Sequence, residues 1–120
     1  MRTIRLSRVY DHEPKHRGRT FLVERLWPRG VRRDELKLDG WMKDVAPSTE
    51  LRQWFNHDPA KWDEFRRRYI AELDANRQAW EPLVDAATRG DVTLLYSSRD
   101  REHNNAVVLH DYLLDHLPKG

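Results

Sequence analysis

Val92-Thr93-Leu94-Leu95-Tyr96 is a nearly uniform apolar run, and it constrains the fold more than any other segment. A strand with one wet face alternates apolar and polar residues, whereas a strand covered on both faces need not. The run therefore reads as an interior strand, with helical patterning on either side. Upstream, Trp62, Phe65, Tyr69 and Leu73 recur at spacings of three and four, with Lys61, Glu64, Arg67 and Arg68 opposite. Downstream, a last helix is expected from about Asn104 to Leu117. Its buried face would use Val107, Leu114 and Leu117, with Val108, Leu109 and Leu113 beside them. Earlier strands are expected near residues 3–9 and over Thr20 to Glu24. Strands separated by helices favour parallel pairing. The fold class is α/β: a small, mostly parallel sheet with helices packed around it, in a single compact domain over residues 1–120.

Local punctuation fills in the remainder. Ser48 in Pro47-Ser48-Thr49-Glu50 can cap a helix that continues through Leu51, Trp54 and Phe55. Asp58-Pro59 starts the next helix, with proline at the tolerated first position. Pro82 lacks an amide hydrogen, so Trp80 to Arg89 is expected as a kinked continuation or a separate short helix ending at Gly90. Residues 27–40 read as mostly irregular, with Trp41 and Met42 tucked into the core.

With no cysteine in the chain, disulfides, thiolate metal sites and cysteine nucleophiles are excluded. No apolar run approaches the length that spans a bilayer, and the first residues lack a signal peptide's apolar core. These features predict a cytoplasmic protein with no membrane partner. Charge is uneven: residues 1–33 hold ten Arg/Lys against three Asp/Glu, while the whole chain is only +2.

Two segments share one design, a buried strand running into a loop rich in arginine and polar groups. The first is Glu24-Arg25-Leu26-Trp27-Pro28-Arg29-Gly30; the second runs from Tyr96 to Asn105. Ligands of open α/β sheets sit at the carboxyl ends of strands. If the two strands are parallel neighbours, both loops share that edge. Arg25, Trp27, Arg29, Tyr96, Ser97, Arg99 and Asn104 are then candidate ligand-binding residues. Guanidinium groups suit phosphate or carboxylate, and a helix N-terminus favours an anion. Glu24, Asp100 and His103 are the candidates for acid–base work, with Arg25 placed to hold Glu24 ionised.

Each residue also has a structural alternative. Arg25 and Arg29 can pair with Asp34, Glu35 or the acidic helices. Trp27 can be a core plug, and Asp100, Asn104 or Asn105 a helix cap. Ser97, Asp100 and His103 lie too close in one loop for a typical catalytic triad. Neither GxGxxG nor GxxxxGK[ST] occurs, and no metal site is predicted: His12 and His16 flank Pro14, and no HExxH is present. No cofactor can be named.

The Glu24–Gly30 segment, Trp41, Pro47-Ser48-Thr49-Glu50-Leu51-Arg52, Leu94-Leu95-Tyr96-Ser97, and Asn104 with Ala106 and Leu109 resemble the bacterial YeaO-like family. The resemblance covers nearly the whole chain. It implies a bacterial α/β domain and no established activity, cofactor or catalytic residue. The expected function is binding of a small anionic ligand, such as a nucleotide or sugar phosphate, with hydrolase or transferase chemistry as an extension. One alternative is a nucleic-acid-binding module using Arg2, Arg5, Arg8, Arg17, Arg19, Arg32 and Arg33. Another is a non-catalytic protein-interaction domain.

Overall fold

The computed structural model describes residues 4–11 and 18–118. Four strands form one parallel sheet among these residues: β1 (Ile4–Arg8), β2 (Arg19–Leu22), β3 (Gly40–Trp41) and β4 (Val92–Tyr96), in the order β1-β4-β2-β3. All five residues of β4 are buried, as an interior strand flanked by β1 and β2 requires. The two-residue β3 begins at the last residue of the segment expected to be irregular. Its length is too short to leave a periodic signal, and only its pairing with Phe21 and Leu22 defines it.

Alternation along the strands divides the core. Ile4, Phe21, Val23, Val92, Leu94 and Tyr96 join the main cluster, which holds the buried residues of all four helices: α1 (Thr49–Phe55), α2 (Trp62–Asp74), α3 (Arg77–Arg89) and α4 (Asn105–Asp115). Leu22 and Leu95 belong to the other face, where Val9, Trp27, Leu36, Leu38 and Trp41 cover them. The helices thus gather on one face, and the segment after β2 seals the other.

Ser48 caps α1 by accepting from the Leu51 amide (3.1 Å), while its own amide and hydroxyl donate to the Glu72 carboxylate at 2.8 and 2.6 Å. Asp58 accepts from the Ala60 amide and Pro59 opens the turn leading into α2. The anticipated α2 face is observed, with Phe65, Tyr69 and Leu73 buried and Trp62 half-buried.

Two expectations are corrected. A separate helix ending at Gly90 is found, as one of the two alternatives had it, but it starts at Arg77 after a break at Ala75–Asn76, and Pro82 lies inside it. Pro82 and Gln78 are both exposed, so water can serve the carbonyl that loses its helical partner. In α4 the buried residues are Ala106, Val108, Leu109, Tyr112 and Leu113, while Leu114 is 44% exposed. This helix is apolar over most of its circumference, so spacing alone does not select the face. The histidine pair at 12 and 16 lies outside the described residues.

Candidate functional site

Because β2 and β4 are parallel neighbours in register Leu22 with Leu95, the segments that follow them leave the same edge of the sheet. The Val23 amide continues the ladder to the Leu95 carbonyl at 3.2 Å. Next in line, Glu24 Oε1 accepts from the Ser97 amide (2.9 Å) and lies 3.4 Å from its hydroxyl. Asn104 caps α4 at the same edge, so the positive end of that helix faces the junction.

A cavity of about 300 Å³ opens here. Of the candidates, Glu24, Arg25, Trp27, Arg29, Ser97, His103 and Asn104 line it. Arg99 and Asp100 line an adjoining depression with His57, Ser97 and Ser98. Tyr96 lines neither; it is buried in the main core. The sequence reading omitted one wall entirely: Ala46, Pro47, Arg52, Phe55, His57 and Phe65 come from α1, α2 and the segments beside them. Two members of that wall, Pro47 and Arg52, lie in a stretch that the sequence marked as a helix start and as shared with the resembling family, not as part of a site.

The two arginines of the first loop have different tasks. Arg25 donates from Nε to the Pro47 carbonyl (3.2 Å) and from Nη2 to the Ala46 carbonyl (3.1 Å), bracing the opposite wall. Among the described residues, Arg25, Arg29, Arg52 and Arg99 form no ion pair, so the alternative in which Arg25 or Arg29 pairs with Asp34, Glu35 or an acidic helix is not found. Trp27 donates to the Val31 carbonyl and meets Trp41 edge-on at 5.2 Å, with Arg33 over both rings. It packs in the smaller core while lining the cavity.

Glu24 requires a correction. Burial pushes its carboxyl above its ordinary value, against the opposing hydrogen bonds from Ser97 and the charge of Arg52. Arg25 does not hold it ionised, because its guanidinium is turned to the 46–47 carbonyls. Asp100 is the reverse case: the amides of His103 and Glu102 hold its carboxyl below the usual range. Its carboxylate also meets His103 Nδ1 at 3.0 Å, and His103 stands edge-on to Trp62. Ser97 is engaged with Glu24, so Ser97, Asp100 and His103 do not form a triad.

Asn104 is buried and both polar atoms of its side chain are engaged: Oδ1 accepts from the Val107 amide and Nδ2 donates to the Asp100 carbonyl. Asn105 donates to the Val23 carbonyl, tying α4 to the end of β2. His57, which lines the cavity, and Asn56 before it have φ of 57° and 47°. Two consecutive left-handed residues without glycine are held against a local strain, as often happens at binding sites.

The basic N-terminal third is largely engaged. Arg8 donates to the Ser98 carbonyl, Arg32 pairs with Asp34, Arg33 covers the two tryptophans, and Arg5 approaches Asp91. Arg19 is exposed, and Arg2 and Arg17 lie outside the described residues. Among the described residues there is no cluster of three His, Asp or Glu that could hold a metal ion. No helix among them is long and apolar enough to cross a membrane.

Comparison with known proteins gives the family. The chain is 43% identical over 110 residues to the uncharacterised protein YeaO of Escherichia coli K12, covering 92% of this chain and 96% of that protein. It is 40% identical over 106 residues to the uncharacterised protein Rv3073c of Mycobacterium tuberculosis H37Rv, covering 88% and 89%. No solved structure matches significantly. Residues 3–120 match a family described as the inactive DUF488-N3 subclade, and the chain belongs to that YeaO-like family.

Proposed function

We propose that this chain binds a small anionic ligand, bearing phosphate or carboxylate, in the cavity at the carboxyl edge of the sheet, and acts as a binding protein rather than a catalyst. The observation that carries this reading is the pair Arg29 and Arg52. Both line the cavity, and neither forms an ion pair among the described residues, although the charge of Arg52 also acts on Glu24. A guanidinium outside any ion pair and beside a helix N-terminus is a natural anion receptor.

Hydrolase or transferase chemistry has less support. Asp100 is committed to its loop amides, and its carboxylate holds His103. The description of the family as inactive also favours binding. The nucleic-acid reading has weaker support than the pocket, since most of its described arginines already have partners.

Thermal shift against inorganic phosphate, ribose 5-phosphate, nucleoside monophosphates and dicarboxylates tests the proposal. A true ligand at a hundred times its Kd raises Tm by about 10 °C for a domain of this size. Arg29→Ala and Arg52→Ala should abolish that rise. A panel without any shift refutes the anion site, and a shift that grows only with long nucleic acid and collapses in salt favours the basic third.

A further inference from the structure

Glu24 is a group that anion binding by itself does not use. Its Oε1 is held by Ser97, while Oε2 has no hydrogen-bond partner among the described residues. It lies in a cavity whose other lining includes Trp27, Pro28, Phe55 and Phe65. A carboxylate in such surroundings is costly unless something donates to it. A simple phosphate or sugar phosphate would leave this oxygen unanswered, and a bare anion would be repelled by it. The cavity therefore carries two unlike kinds of group: the guanidiniums of Arg29 and Arg52 and a hydrogen-bond-accepting oxygen at Glu24, with flat apolar side chains among its walls.

Resting on the anion reading, we propose that the ligand is a nucleoside monophosphate whose base presents adjacent N–H donors to Glu24, with guanine the best fit. A guanine edge offers its ring N–H and its amino group side by side, matching the two oxygens of a carboxylate. Oε1 keeps a second lone pair after accepting from Ser97. Adenine and cytosine offer an amino group alone. Uracil flanks its single N–H with two carbonyls, which the carboxylate repels. Aromatic walls suit a planar base, and the phosphate falls to the arginines. A volume of about 300 Å³ is at the small end for ligand sites, which suits one nucleotide rather than a dinucleotide.

The test is calorimetric titration of the whole chain, in mildly alkaline buffer, with guanosine monophosphate, uridine monophosphate and ribose 5-phosphate. Guanosine monophosphate should bind at least about tenfold more tightly than either of the others, the usual worth of a bidentate base contact. Glu24→Gln keeps an acceptor for the Ser97 amide but replaces half of the carboxylate by a donor. It should erase the preference for guanosine monophosphate over uridine monophosphate. Equal binding of all three by the native chain overturns the base inference while the anion site stands. A guanine preference that survives Glu24→Gln overturns Glu24 as its reader. Binding of none of them overturns the base inference and, with it, a phosphate-binding site. If the variant does not fold, the comparison on the native chain still decides the base preference.

Discussion

Arg25 and Arg29 stand four residues apart in one motif, yet the structure gives them opposite responses to the same substitution. Arg25→Ala removes two charge-assisted hydrogen bonds and leaves the carbonyls of the buried residues Ala46 and Pro47 without their donor. Such a bond contributes about 1.5–3 kcal/mol, and a donor lost from a buried acceptor costs a similar amount. Because one cation serves both carbonyls, the two losses overlap, and about 2–4 kcal/mol is expected. For 120 residues, a kcal/mol corresponds to about 4 °C, so Tm should fall by about 8–16 °C. Arg29→Ala removes an exposed side chain without an ion pair; only its backbone carbonyl is used, by the Tyr10 hydroxyl at 2.8 Å. Its stability should stay within about 0.5 kcal/mol of the native chain. Urea unfolding followed by circular dichroism, with the slope checked for constancy, measures both. Native-like stability in Arg25→Ala would refute the bracing role. Equal destabilisation by Arg29→Ala would remove the distinction on which the anion site rests.

Three further outcomes follow from the geometry. With its carboxyl raised by burial, folded Glu24 keeps a proton that the unfolded chain has already released; stability should therefore fall as pH rises from the ordinary carboxylate value through the raised one. Glu24→Gln should flatten that part of the curve, and parallel curves for the two proteins would contradict the assignment. Asn104→Ala strips the cap from α4 and unpairs the Asp100 carbonyl, for a loss of about 2–3 kcal/mol by chemical denaturation; a change below about 0.5 kcal/mol would free Asn104 for a ligand role. Gly18 has φ +92° and an added Cβ would lie 2.2 Å from the Asp91 carbonyl oxygen, so Gly18→Ala should cost more than about 2 kcal/mol. Gly30→Ala, at φ +78° with open space around it, should cost only about 1–2 kcal/mol; equal melting temperatures for the two variants would show that the close approach at Gly18 is relaxed.

What the sequence determined by itself is what short-range chemistry controls. The five-residue run of β4, the caps Ser48 and Asp58, and the α2 face each follow from a residue's own conformational preference or from neighbours within two turns. The placement of Glu24 and Ser97 at one edge was equally accessible, because two buried strands in an α/β chain have few ways to pair. Contacts between distant segments decided the rest. Pro82 stays inside α3 because its side of the helix faces water, and α4 buries Leu109 rather than Leu114 because the sheet and the other helices select its face. Arg25 reaches across 22 positions to Pro47, and the wall carrying Arg52 and His57 arrives from α1 and the turn after it. No local pattern records such meetings, since the same arginine beside the same tryptophan can brace a loop or wait for an anion. Only the packed chain shows which carbonyls lie within its reach.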